Sequence, residues 1–275
     1  MDGLRDEGRR PAVRARKHYG QHFLQATWAD RLIAAIAPQP EDRFLEIGPG
    51  PGVLTTRLAR RVAHLTAVEI DRDMVEALLP GAPRNVTIVP ADILAFDIAP
   101  LTVDSPLRVA GNLPYNLSTP ILFRLLAAHR ATGRIPDATV MLQREVAERI
   151  EARPGTRDYG VLSVLIQLHA DVRRLLTLPP GAFRPAPKVH SAVVQLAFRP
   201  PVVEVRDERL FEAMLRSMFT QRRKMLGNAL EPFAATRGTH AAEALRLADI
   251  DPTRRPETLQ LAEIARLADT FGSEN

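Results

Sequence analysis

With 275 residues the chain is long enough for one full α/β core and a smaller appendage, and its 45% hydrophobic and 25% charged residues are the balance of an ordinary folded protein, not a disordered or fibrous one. The absence of cysteine excludes a disulfide framework, thiolate metal sites and a cysteine nucleophile together. A net charge of +5 favours a polyanionic partner, although the excess is nearly all arginine, with Lys17, Lys188 and Lys224 the only lysines, and a compositional bias accounts for it equally well.

In chain order, residues 1–17 form an arginine-rich stretch expected to be a loose basic arm. The opening MDGLRDEGRR lacks the apolar segment of a secretory signal, and no apolar run reaches the ~18 residues of a membrane span, so a cytoplasmic protein with no membrane partner is expected. From Arg43 to about Arg144, short apolar strands alternate with amphipathic helices. Phe44–Ile47, Leu65–Ile70 and Val86–Pro90 read as strands, with helices over Val53–Val62 and Arg72–Leu79. That βαβαβ rhythm predicts a parallel sheet covered by helices. Leu107–Asn112 and Ala138–Gln143 continue the strands around a helix over Thr119–Arg130, and Val189–Phe198 adds one more. Arg199-Pro200-Pro201 then opposes both helix and sheet. Beyond it only helical periodicity appears, in Arg209–Phe219, Arg223–Phe233, Ala241–Ala248 and Glu257–Phe271. The expected architecture is α/β, a Rossmann-like sheet over 18–200 followed by a small all-helical domain over 201–275.

The segment Glu46-Ile47-Gly48-Pro49-Gly50-Pro51-Gly52 stands between a predicted strand and a predicted helix, where glycines such as Gly48 and Gly50 let backbone approach a ligand closely. Glu69 ends the next strand, placed to accept hydrogen bonds from both hydroxyls of a ribose. The glycine spacing is not the G-x-G-x-x-G that NAD prefers, and S-adenosylmethionine, with no pyrophosphate to cradle, fits better. Asp92, just past the third strand, taken alone is a helix N-cap. Beside the glycine loop and Glu69 at matching strand ends, it is a candidate to hold the cofactor's adenine amine.

After the fourth strand comes Asn112-Leu113-Pro114-Tyr115. An exocyclic adenine amine is a poor nucleophile because its lone pair is delocalised into the ring. An enzyme that alkylates it must accept hydrogen bonds from the amine and aim the lone pair. Asn112 can offer a side-chain carbonyl, Pro114 can fix a turn that leaves a backbone carbonyl of Leu113 or Pro114 as second acceptor, and Tyr115 can stack on a flipped base. In isolation the tetrapeptide is equally a strand-to-helix turn; its position at the end of such a sheet favours the catalytic reading. The proline-rich stretch 179–189 either presents Phe183 to the other face of the base or is a plain linker. His18 and His22 have a metal-binding spacing on a helix, but Gly20 between them argues against one, and no metal is expected.

These motifs, together with Tyr19-Gly20-Gln21-His22-Phe23-Leu24, Glu69-Ile70-Asp71, Asn116 to Pro120, Phe183 to Val189 and Gln221-Arg222-Arg223-Lys224, resemble the ribosomal RNA adenine dimethyltransferases, specifically the small-subunit (KsgA-type) enzymes, over about residues 16–260. The resemblance implies a class I S-adenosylmethionine-dependent methyltransferase. His22, Leu24, Gly48, Glu69, Asp92 and Asn112 would contact the cofactor, Asn112 and Tyr115 would hold the target adenine, and Phe183 would stack near it. It further implies a ribosomal RNA partner, dimethylated at two adjacent adenosines near the end of small-subunit RNA within a small-subunit assembly particle, by a protein expected to be monomeric. Gln221 to Lys224 reads on its own as a phosphate-binding helix start or a solvated face, and the resemblance tips Arg222, Arg223 and Lys224 toward RNA. A large-subunit enzyme of the antibiotic-resistance type and a non-catalytic RNA-binding relative are the alternatives. One departure stands out: the family usually has asparagine where this chain has His22, so a side-chain amide contact there is in question while backbone contacts persist.

Overall fold

Apolar strands that alternate with amphipathic helices have to bury both faces of a sheet, and among the described residues, 22–272 of this computed structural model, they do so. The arm at 1–17, His18 and residues 19–21 lie outside that range. The strands are β1 (Phe23–Leu24), β2 (Arg43–Ile47), β3 (His64–Glu69), β4 (Val86–Pro90), β5 (Arg108–Asn112), β6 (Asp137–Gln143), β7 (Ala170–Leu178), β8 (Phe183–Arg184) and β9 (Ser191–Phe198). Seven of them form one sheet in the order β4-β3-β2-β5-β6-β9-β7, parallel from β4 to β6 and antiparallel at β9 and β7. The remaining two, β1 and β8, pair antiparallel, joining Phe23 to Arg184 and Leu24 to Phe183.

Side chains alternate across each strand, so one strand feeds two cores. In β2, Phe44 points into the layer that holds Leu32, Ile33, Phe183 and Val193, while Leu45 points into the layer of Val109, Ile121 and Val140. Helix α1 (Ala26–Ile36) covers the first face with Ala29, Leu32, Ile33 and Ile36. Helices α2 (Thr55–Ala59) and α3 (Arg72–Leu78) flank β3. The second face is covered by α4 (Ser118–Thr132), α5 (Arg144–Glu151) and α6 (Val161–His169).

After Pro200 come α7 (Glu208–Thr220), α8 (Leu226–Ala235), α9 (Ala241–Leu247) and α10 (Leu261–Asp269). Their core is not separate. One apolar cluster runs from Leu45 and Val109 in the sheet through Leu165 and Leu168 of α6 to Met214, Leu230 and Leu267. The join is sealed by Tyr159, edge-on to Phe219 at 6.3 Å, and by Gly155, whose amide donates to the Glu257 carbonyl at 2.6 Å. Pro200 therefore marks a change of secondary structure inside a continuous core.

Several predicted elements differ, among them the last helix, expected over Glu257–Phe271 and formed only over Leu261–Asp269. The helix expected over Val53–Val62 lasts only for Thr55–Ala59, because the Ala63 amide is drawn to the Asp42 carbonyl at 2.9 Å and leads the chain into β3. The helix expected from Arg223 begins at Leu226, and residues 221–225 turn between α7 and α8. The last strand starts at Ser191 rather than Val189.

Candidate active site

From β2 the chain crosses to β3 and β4 on one side, and β5 lies on the other, so a crevice opens at the carboxyl ends of β2 and β5 where strand order reverses. The two strands close tightly there. Ile47 pairs with Gly111, and a Cβ on Gly111 would sit 2.6 Å from the Ile47 carbonyl oxygen, so only glycine allows this register. The loop that follows β2 turns through Gly48 and Gly50 at φ of 64° and 54°, conformations costly for any residue with a Cβ. Its backbone is thus left bare toward the crevice.

His22, Leu24, Gly48, Gly50, Glu69, Asp92, Asn112, Leu113, Pro114 and Tyr115 all line one cleft of about 1060 Å³, its open mouth included. Glu69 is 5% exposed. Its Oε2 accepts from the Gly50 amide at 3.0 Å and its Oε1 from the Asp71 amide at 2.9 Å, which fixes the carboxylate and leaves each oxygen a further lone pair. Burial pushes its carboxyl above the ordinary range, against the pull of those two amides. No helix follows Asp92: its Oδ1 accepts from the Leu94 amide at 2.9 Å within a turn, so it is not the N-cap expected of it in isolation. That bond uses one oxygen and leaves the other for a ligand.

Among the described residues the Asn112 amide is oriented by one hydrogen bond: Nδ2 donates to the His22 carbonyl at 2.7 Å. With the nitrogen engaged, Oδ1 remains as an acceptor at the cleft. Of the two backbone carbonyls proposed as second acceptor, that of Pro114 already takes the Leu117 amide at 3.0 Å and the Ser118 hydroxyl at 3.1 Å. Leu113 is the better candidate. The Tyr115 hydroxyl is 2.5 Å from Ser191 Oγ, and burial raises its phenol above the usual range.

Residues 12–271 match the family described as ribosomal RNA adenine dimethylase. The chain belongs to that family. The ribosomal RNA small subunit methyltransferase A of Syntrophotalea carbinolica is 44% identical over 258 residues, covering 93% of this chain and 96% of the relative. Its counterpart in Chromohalobacter salexigens is 45% identical over 270 residues, 94% of this chain and 92% of the relative. Among solved structures, a dimethyladenosine transferase from Plasmodium falciparum shares the fold with a TM-score of 0.73 at 22% identity, over 90% of this chain and 96% of that one. The 23S rRNA methyltransferase ErmE aligns with a TM-score of 0.64 at 26% identity, over 91% of this chain and the whole of the other.

In this member of the ribosomal RNA adenine dimethylase family, two groups of predicted residues lie apart from the cleft. Phe183 is 1% exposed and packed with the layer under α1, so it presents no face to the cleft. Its pairing with Leu24 through β1 and β8 puts it in the core, a long-range consequence that its proline-rich surroundings did not signal. Arg222 pairs with Glu257 at 3.3 Å and donates to the Arg157 carbonyl at 2.5 Å, a structural tie between the tail and the loop that leads into α6. Arg223 and Lys224 beside it are exposed. Among the described residues, no cluster of His, Asp and Glu is placed to hold a metal ion, and no helix is long and apolar enough to cross a membrane.

Two residues of the site were not singled out from the sequence. Glu46, 1% exposed and lining the cleft, has an Oε2 without a hydrogen-bond partner, and burial pushes its carboxyl up to about 8 with Glu69 adding to the rise and Thr55 opposing it. The acidic position before Gly48 was visible, but its isolation was not. Ser191, which holds Tyr115, sits at the start of β9 and carries no local signal.

Proposed function

We propose that the chain transfers methyl groups from S-adenosylmethionine to the exocyclic amine of adenosines in small-subunit ribosomal RNA, dimethylating two adjacent adenosines near the 3' end. The observation that carries the reading is the Asn112 side chain, which lines the cleft with its Nδ2 held by the His22 carbonyl and its Oδ1 left as an acceptor. Family membership and relatives named for the small subunit at 44–45% identity favour that substrate over large-subunit RNA, whose methyltransferase ErmE is 26% identical.

The bare backbone at Gly48 and Gly50, the fixed carboxylate of Glu69 and the remaining oxygen of Asp92 suit S-adenosylmethionine: Glu69 would take the ribose hydroxyls and Asp92 the adenine amine. When bound, that cofactor supplies an electrophilic methyl on a sulfonium. Asn112 Oδ1 and the Leu113 carbonyl accept the two hydrogens of the target amine, which turns its lone pair out of conjugation. Tyr115 stacks against the base. Most of the rate enhancement then comes from alignment. The catalytic unit would span 18–200, with 201–275 and the arm at 1–17 gripping RNA through Arg223, Lys224 and neighbouring arginines, in a small-subunit assembly particle.

Primer extension on small-subunit RNA from cells lacking the gene tests this. Loss of the two stops made by dimethyladenosine near the 3' end, restored by the wild-type gene, is expected. Stops that persist, or that vanish from large-subunit RNA instead, would overturn it.

A further inference from the structure

His22 does more than lend a backbone carbonyl. Its ring stacks on Tyr115, with centroids 5.3 Å apart and planes 29° from parallel. Its Nδ1 lies 2.7 Å from the Pro185 carbonyl, an oxygen that can only accept, so Nδ1 carries the hydrogen. The same residue accepts from Asn112 at 2.7 Å. Three chain segments at the mouth of the cleft thus meet on one residue: the approach to β1, the Asn112–Tyr115 turn and the loop from β8 to β9.

Tyr115 is consequently held at two points, its hydroxyl by Ser191 and one ring face by the imidazole. Rings 5.3 Å apart leave no space for a base between them. We infer that the His22 imidazole is a positioning residue for the target base, covering one face of Tyr115 so that the adenine takes the opposite face. This rests on Tyr115 being the base platform, as proposed above. An asparagine at this position could donate to Pro185 but has no ring to lay on Tyr115. Far from being a mere stand-in for that amide, the imidazole adds a contact of its own.

Single-turnover methyl transfer into small-subunit RNA, normalised to folded protein, tests this with His22→Asn, Tyr115→Leu, the double variant and His22→Phe. His22→Asn is expected to lower kcat/KM for RNA about fivefold, the scale of one aromatic pair, and to change nothing once Tyr115 is leucine. His22→Phe, which keeps a ring and loses the bond to Pro185, is expected to retain most of the activity. No loss in His22→Asn, or an equal loss in both backgrounds, overturns the inference. Where Tyr115→Leu turns over too slowly to read, a His22→Phe chain as slow as His22→Asn overturns it as well. A wild-type chain that methylates no small-subunit RNA would overturn the functional reading instead.

Discussion

The two ends of β5 lie four residues apart and treat polar groups in opposite ways. At the amino end, Arg108 is satisfied on every side: Nη1 meets Asp42 at 2.6 Å, Nη2 meets Asp137 and the Ile36 carbonyl at 2.9 Å, and the guanidinium covers the Phe44 ring at 4.9 Å. At the carboxyl end, among the described residues, Asn112 makes one side-chain hydrogen bond and the nearby Glu46 keeps an oxygen with none. A buried polar group with all its capacity used belongs to the architecture. One with capacity left over is built for something that arrives later, and it weakens the protein until then.

Single substitutions at the two ends should therefore fail in different ways. Arg108→Ala is expected to cost roughly 3 kcal/mol of stability by stranding two carboxylates, while turnover per folded molecule stays near normal. Asn112→Ala is expected to lower methyl transfer at least ~100-fold with little change in melting temperature or RNA affinity, because RNA binding is dominated by phosphate contacts. Chemical denaturation and single-turnover assays on both variants read the contrast. A destabilised Asn112→Ala with normal turnover would make it a turn residue and erase the distinction.

Glu69→Ala sharpens the picture at the cofactor end, since the carboxylate both organises the loop and, as proposed, binds ribose. S-adenosylmethionine affinity by calorimetry is expected to fall about 30-fold or more. Unchanged affinity in a folded variant would remove Glu69 from the site.

A smaller effect separates the basic residues of the tail. Arg222→Gln is expected to lower the melting temperature, as it breaks the tie to Glu257 and Arg157. Arg223→Gln and Lys224→Gln should leave stability alone and weaken RNA binding, each reducing the salt slope by about 1. Filter binding at several salt concentrations would show it, and identical behaviour of all three would argue against the division.

The last effect is a pH dependence of thermal stability. With its carboxyl at about 8 in the folded chain against an ordinary 4.5, Glu46 holds a proton that the unfolded chain releases. Folding takes up that proton, so this group's contribution to stability falls as pH rises from about 4.5 to 8 and stays low above. Glu46→Gln mimics the protonated form and should melt above wild type at pH 9, with a smaller gap at pH 6. An equal gap at both pH values would mean that Glu46 is ionised throughout.

Much of this was legible in the sequence where the signal is local. The strand-helix alternation announced the parallel strands, and glycines or acids at strand ends announced the cleft, because in such sheets ligand groups sit where strands stop. Features that depend on distant partners were not legible. Helix α6 buries Leu162, Val164, Leu165, Ile166 and Leu168 on all sides, so it shows no polar face to betray its period. Strand β7 carries Arg173 and Arg174 at the sheet edge, and nothing local distinguishes it from a charged helix. Phe183 and Arg222 went the same way: an aromatic beside prolines and a basic cluster look available until the chain folds Leu24 onto one and Glu257 onto the other.

The apolar cluster that passes from α6 into α7, α8 and α10 has a consequence for recombination. A tail from a related enzyme cannot be exchanged as a cassette at Pro200, because Leu165 and Leu168 on one side of the seam and Met214 and Leu230 on the other fill the same interior. A viable crossover would carry α6 along with the helices that follow it. Chimeras cut before α6 should express as folded protein where those cut at Pro200 leave a mismatched cavity, so the smallest exchangeable block is larger than the helical tail.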